Sequence, residues 1–424
     1  MKTSLLLMVL LACAAVASAA LIMTNGSETD KEATYLDVSE PTTVNSFSWD
    51  VFDSLDGDEI FYSSYGLYTA LAMLLNGAEP GSTTEKELLD ILHKEDCRTV
   101  NSDIKKVLDS LTADTKYRFG SSNLILVDKT YVSGKGISSS FSEIIENMFK
   151  GSVRTADIRN DTDAVKEMIR GWVSDSTYGF IPDYASILDS STLADVLNVV
   201  YFKGEWVFRF ENTFDGKFRC SDGSASDVKM MQRTFSSGAI SYYTDGKYRG
   251  VSLPYESDSG SSVSMIIILP ADGGTDIKSR WSAETVEYRE KFIENVRNGS
   301  LDSKRLNVII PKLDVNTSYD LKELFTSLGL NISMSDAAEF TKIIDNDCLK
   351  ITDGKHQAKL KVDETGTEAA AVTEVVMKNT SVLNIDPVIN FHCDIPFIFT
   401  ISEEENGIDL FTGYIGNLKS NVDT

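Results

Sequence analysis

Three histidines, His93, His356 and His392, are the chain's whole supply of side chains that ordinarily titrate near neutral pH. No Gly-x-Ser-x-Gly turn presents a nucleophile, no His-Glu-x-x-His awaits zinc, and no glycine-rich loop is shaped for a phosphate. Cys97, Cys220, Cys348 and Cys393 are too scattered to make a zinc site. The 64 acidic residues single out no carboxylate pair. The sequence therefore offers little catalysis of its own, and no metal or cofactor is expected. It does offer a segment on which chemistry could be performed. Residues 364–378 read Glu-Thr-Gly-Thr-Glu-Ala-Ala-Ala-Val-Thr-Glu-Val-Val-Met-Lys. On a pleated strand, alternate side chains share a face. One face would carry Thr367, Ala369, Ala371, Thr373, Val375 and Met377, all uncharged. The other would carry Glu368, Ala370, Val372, Glu374, Val376 and Lys378, with every charge. Gly366 supplies a pivot before both. Such a loop could slide between two strands and bury its small face. An Ala-rich helix or a plain linker remains open on the residues alone.

Four blocks carry a family resemblance. Lys361-Val-Asp-Glu-Thr-Gly-Thr-Glu-Ala-Ala-Ala-Val-Thr373 resembles the proximal hinge of a serpin reactive-centre loop. Leu197-Asn-Val-Val-Tyr-Phe-Lys-Gly-Glu-Trp206 resembles the serpin central strand. Phe391-His-Cys-Asp-Ile-Pro-Phe-Ile-Phe-Thr-Ile401 and Asp409-Leu-Phe-Thr-Gly-Tyr-Ile-Gly-Asn417 are similar to the C-terminal strands. Pro311-Lys312-Leu313 with Tyr319-Asp-Leu-Lys322 also fits. The resemblance runs from about residue 41 to the end. It implies an α+β serpin fold of three β-sheets and about nine helices, with an exposed loop near 364–386. It also implies an inhibitor that is itself cut. A serine protease attacks the loop and becomes acylated, and the loop then inserts into the main sheet before water frees the enzyme. Cysteine proteases are a further target class. The small hinge residues Gly366, Thr367, Ala369, Ala370, Ala371 and Thr373, with Glu364, Glu368 and Val372, are of the inhibitory type. A carrier serpin that keeps the fold but not the trap is the alternative.

Counting seventeen residues inclusively from Glu364, as the family usually does, places the scissile bond at Thr380–Ser381. Lys378–Asn379 is the alternative that suits a trypsin-like enzyme, and Val376 or Met377 would suit elastase- or chymotrypsin-like ones. The resemblance assigns Asn198 and His356 as a hydrogen-bonded pair beneath the point where the sheet parts. It assigns Trp206 to the sheet's upper end, and Lys312 with Glu364 to an ion pair by the loop. Three departures bear on this machinery or lie near it. Glu59-Ile-Phe-Tyr-Ser-Ser64 replaces Asn-x-x-x-Ser-Pro, Gly66 stands where serine is usual, and Ile395 replaces a polar residue before Pro396. The first two put the hydrogen bonds of His356 in doubt.

The elements that must position these residues are legible in outline. Val44, Phe47, Val51, Phe52 and Leu55 recur at helical spacing, so residues 42–55 form an amphipathic helix. Residues 66–77 are apolar nearly all round, as a buried helix should be. Ser82 or Thr83 caps a helix through Leu92. Residues 119–128 and 195–206 read as strands, 161–177 as a helix between them, and 239–269 as short strands. Helical charge patterns return at 276–297, and the last hundred residues are mostly strand. No linker or repeat divides them, so residues 41–424 are read as a single domain.

The N-terminus reads as a secretory signal, with Lys2, an apolar core and Ala17-Ser18-Ala19 as the cleavage site. Residues 1–19 would be removed, 20–40 are a loose polar segment, and the product is secreted and extracellular. No other apolar run reaches the ~18–20 residues of a membrane span. A net charge of −24 argues against nucleic acid and anionic membranes. Lys105, Lys106, Lys116 and Arg118 are interrupted by Asp109 and Asp114, so heparin dependence is not expected. A monomer is expected. Sequons at Asn25, Asn160, Asn298, Asn316 and Asn331 are glycosylation candidates, while Asn379 must stay bare for a protease to reach the loop. Four cysteines allow three disulfide pairings or none.

Overall fold

The structure, a computed structural model, describes residues 43–132, 134–258, 262–300, 304–345, 347–367 and 387–420. Residues 1–42, among them the expected signal and Asn25, lie outside the described residues, as does the segment from Glu368 through Thr380 and Ser381. The chain order begins α1 (Thr43–Ser54), β1 (Glu59–Tyr62), α2 (Ser64–Gly77), α3 (Thr83–Ile91), α4 (Cys97–Leu111), β2 (Arg118–Asp128), α5 (Ser139–Phe149), β3 (Ser152–Ala156), α6 (Thr162–Ser176) and β4 (Ala194–Glu205). It continues β5 (Asn212–Arg219), β6 (Ala225–Phe235), β7 (Ser241–Thr244), β8 (Tyr248–Pro254), β9 (Val263–Pro270), α7 (Ile277–Ser282), α8 (Val286–Asn298), β10 (Arg305–Pro311), β11 (Leu313–Asp320) and α9 (Leu321–Ser327). It closes with β12 (Phe340–Ile344), β13 (Asp347–Leu349), β14 (Asp353–Val362), β15 (Gly366–Thr367), β16 (Val388–His392), β17 (Phe397–Glu403) and β18 (Ile408–Ile415).

Three sheets result, as the resemblance implies. The main sheet runs β11-β14-β15-β4-β2-β3. A second runs β1-β18-β17-β9-β8-β7 and a third β16-β10-β6-β5, with β12 and β13 forming a small ribbon. Among the described residues there are nine helices. The outline read from the sequence holds for α1, α2, β2, α6, β4, β7 to β9, α7 and α8. Three helices, α4, α5 and α9, and the strands β1, β3, β5, β6, β10 and β11 fall mainly where no element was assigned.

Burial explains the layering. Every residue of α2 is buried, and the helix lies between β18 on one side and β4 on the other. Its first turn is capped by Ser63, whose Oγ accepts from the Gly66 amide at 3.0 Å. Ser82 caps α3 in the same way, through the Glu85 amide. The outer face of the main sheet is covered by α6 and the connector that follows it. Val165, Ile169 and Val173 of α6, with Ile181, Tyr184 and Leu188 of the connector, pack on Leu124, Leu126, Leu197 and Val199. The connector also reaches the far strand. Lys355 of β14 donates to the Ala185 carbonyl at 2.6 Å, and Lys359 donates to the Phe180 carbonyl at 3.2 Å. Cys97, Cys220, Cys348 and Cys393 are all unpaired. Lys105 is spent on Asp109, and Arg118 lies over the Tyr178 ring. Among the described residues, no helix is long and apolar enough to cross a membrane.

Candidate functional site

The seam between β4 and β14 is the chemically informative place in the main sheet. At its lower end the two strands pair directly and in parallel, from Asp353↔Asp195 to Gln357↔Val199. At its upper end β15 stands between them. Gly366 and Thr367 pair antiparallel with Glu205 and Gly204, and Thr367 also pairs with Val362 of β14. Two residues of the segment that the resemblance assigns to the hinge thus stand between β14 and β4.

Local chemistry turns the chain into that position. The Asp363 carboxylate accepts from the amides of Thr365 and Gly366, and the Asp363 amide donates to the Gly366 carbonyl. This closes a tight turn after β14. Gly366 sits at φ +157°, and a Cβ on it would fall 2.1 Å from the Gly204 carbonyl oxygen. Only glycine fits so near another backbone. Thr367 is 1% exposed, and its hydroxyl shares a 2.6 Å hydrogen bond with the Tyr255 hydroxyl.

Trp206 holds this end together. Its indole Nε1 donates to the Asp363 carbonyl at 3.0 Å. Its amide donates to the Thr365 carbonyl, and the Phe210 amide to that of Glu364, both at 2.9 Å. Its ring stacks on Tyr255 at 4.4 Å and meets Phe210 edge-on at 6.4 Å. Lys312 and Glu364 form an ion pair beside the turn. Burial raises the Glu364 pKa, but the Lys312 ammonium and a backbone amide outweigh it and hold the carboxyl below its ordinary range. Both partners are partly exposed, so the pair contributes only ~0–1 kcal/mol. We therefore expect Lys312→Met to cost little stability in urea unfolding. That deficit should appear above the ordinary glutamate pKa of about 4.3 and fade as the pH falls through the lower folded value.

Lower down, Asn198 and His356 lie in register on neighbouring strands, both fully buried. The hydrogen bond implied between them is absent, and each is turned to a different partner. Asn198 Nδ2 donates to Asn123 Oδ1 at 2.7 Å. His356 Nε2 accepts from the Ser63 amide at 3.1 Å. Gly66 is the physical reason. It brings no hydroxyl, and a Cβ there would come 2.4 Å from Asn198 Oδ1 and 2.5 Å from Val200 Cγ2. The amide of Asn198 thus rests directly against the α2 backbone. Accepting at Nε2 places the imidazole proton on Nδ1, and burial lowers the His356 pKa to about 3, so the ring is neutral. His356 Nδ1 and Asn198 Oδ1 are both buried without a hydrogen-bond partner.

The structure thus brings Trp206, Lys312, Glu364, Gly366 and Thr367 to one end of the seam, and Asn198 and His356 to its middle. Sequence reasoning missed Tyr255, Ser63, Gly204 and Asn123, whose partners lie far along the chain. It also missed Asp195, although an aspartate inside an apolar strand is itself a signal. The sequon asparagines Asn160, Asn298, Asn316 and Asn331 are all exposed.

Comparison with known proteins adds the family. A family model described as serpin (serine protease inhibitor) matches residues 42–418. An uncharacterised serpin-like protein of Thermococcus kodakarensis is 30% identical over 387 residues, covering 89% of this chain and 85% of that one. The leukocyte elastase inhibitor of Bos taurus is 30% identical over 370 residues, covering 84% and 93%. Among solved structures, the thermophilic serpin tengpin in its native state superposes with a TM-score of 0.77 at 22% identity, covering 91% of this chain and 96% of tengpin.

Proposed function

Because the chain belongs to the serpin family, we propose that it is a secreted inhibitor that traps serine proteases, and cysteine proteases by the same route, through cleavage and insertion of its own loop. The protein is a suicide substrate and not a catalyst. The protease supplies the nucleophile, and the loop supplies the carbonyl.

The observation that carries this reading is the placement of Gly366 and Thr367 between β14 and β4. Continuing their register down the seam puts Ala369 between Phe202 and Leu360, and Ala371 between Val200 and Ala358. All four of these neighbours are buried, so small residues are needed. Thr373 falls between Asn198 and His356. A hydroxyl there can donate to Asn198 Oδ1 and accept from His356 Nδ1–H, the two atoms left without partners. Satisfying buried groups of this kind favours the inserted form.

The proposed scissile bond is Thr380–Ser381, with Lys378–Asn379 as the alternative. Secretion rests on the N-terminal segment, and Asn160, Asn298, Asn316 and Asn331 are proposed carriers of glycan. Incubation with trypsin-, chymotrypsin- and elastase-like proteases should give an SDS-stable complex near the summed masses. The first residue of the released C-terminal peptide then fixes the bond. Loop cleavage should also raise the melting temperature markedly, because the native fold is held short of its most stable state. Cleavage with every protease left active, and with unchanged melting, would instead indicate a carrier.

A further inference from the structure

β4 carries three charged residues, Asp195, Lys203 and Glu205, and Asp195 is the one that is buried, on the face it shares with Leu197 and Val199. Asp195 is 1% exposed, and its Oδ1 has no hydrogen-bond partner. Across the seam its neighbour in register is another carboxylate, Asp353 of β14. A third, Asp320, caps α9 through the amides of Lys322 and Glu323. Lys355, two residues along β14, is the cation facing the cluster, but its ammonium is turned to the Ala185 carbonyl and lies 5.0 Å from the centre of the Tyr184 ring. Tyr184 of the connector is the remaining titratable group, and burial first, then Asp195, keeps its hydroxyl protonated. On β2 the residue in register with Asp195 is Leu126. Asp128, further along that strand, is committed to the amides of Thr130, Tyr131 and Arg159.

We propose that Asp195 and Asp353 form a proton-operated latch on the seam: with Asp195 protonated the two strands stay together, and with both carboxylates charged their repulsion favours a strand between them. Geometry sets the sign. Paired strands lie about 4.8 Å apart, so an inserted strand doubles the separation to about 9.6 Å. Burial, then Asp353 and Asp320, push Asp195 up to about 7, against a smaller opposing pull from Lys355. Moving Asp353 away relaxes this value downward, so insertion releases a proton to solvent near neutral pH. A carboxyl whose folded pKa is raised adds stability that is full below its unfolded value and lost as pH rises through the folded one. The intact form thus loses stability between about pH 4 and pH 7 that the inserted form partly keeps. Each unit of relaxation shifts the balance toward insertion about tenfold above neutrality.

The proposal rests on the insertion reading, and the test separates the two. Melting temperatures of intact and loop-cleaved protein are compared by calorimetry from about pH 5.5 to about pH 8.5. The gap between the two forms should widen with pH in the native sequence and stay nearly flat in Asp195→Asn. A flat gap in the native sequence, or equal widening in the variant, would overturn the latch while leaving insertion standing. A cleaved form no more stable than the intact one at any pH would remove insertion, and the latch with it. Should Asp195→Asn fail to fold, Asp353→Asn carries the same comparison: a smaller widening supports the latch and an undiminished one refutes it.

Discussion

If the proposed trapping operates, Thr367→Arg is expected to turn the protein from an inhibitor into a substrate. Thr367 is buried between β14 and β4, with its hydroxyl on Tyr255. A guanidinium in that place would lie beside Tyr255 and Val362 in the buried seam. Burying an unpaired charge costs several kcal/mol, so the hinge would stay outside the sheet and insertion would lose the race against hydrolysis of the acyl-enzyme. The rest of the intact fold survives, because β15 is only two residues long and can leave the sheet, carrying the arginine into solvent. Densitometry of SDS gels, with titration of residual protease, should show covalent complex falling by about tenfold or more, the factor that about 1.4 kcal/mol of lost driving force produces. Cleaved inhibitor should rise in its place. Thr367→Val is the control. It keeps the volume and loses one hydrogen bond of about 1 kcal/mol, so it should still trap. Undiminished trapping by Thr367→Arg would exclude insertion through this position.

Trp206→Ala should destabilise the intact protein by about 3–5 kcal/mol, the usual cost of emptying a buried aromatic site. The indole fills the space against Tyr255 and Phe210 and bonds the turn at Asp363. Its loss leaves a void and an unpaired carbonyl where β14 turns into β15. Urea unfolding of the uncleaved protein measures the effect, and Trp206→Phe should recover much of it. A cost under about 1 kcal/mol would mean that the neighbouring side chains collapse into the space.

What the sequence revealed, and what it hid, follows from the range of the interactions involved. α2 was legible because every one of its positions but Asn76 is apolar or small, so periodicity was not needed. The alternation from Thr367 to Lys378 is local and so readable in a short window, but only its first residue, Thr367, falls among the described residues. The upper seam was not legible, because Trp206, Tyr255 and Thr367 meet only after more than a hundred residues of intervening chain have folded. Their contacts are set by strand order, which no short window contains. The partners of His356 were hidden for a related reason. Gly66 marks a departure in the sequence, but only the packed structure shows that Asn198 has moved up against it. α4 did carry a signal, since Val100, Ile104, Val107, Leu108 and Leu111 are its buried stripe. Attention to the basic residues on its other side obscures that spacing. The β5–β6 hairpin is harder, because most of β5 is exposed and strand alternation there is broken by charges.

Lys355 and Lys359 tie the α6–β4 connector to β14, while Tyr184 and Leu188 of the same connector rest against the β2–β4 side. In the proposed insertion, a strand entering between β14 and β4 would pass beneath that bridge, and the two lysine bonds would resist the parting of the strands. Bonds that are lost on the way to the barrier raise the barrier itself, whatever the depth of the final basin. Shelf life and speed of capture are then two readings of one clock. Loosening either tie should make the protein a quicker trap, and one that runs down sooner when no protease arrives.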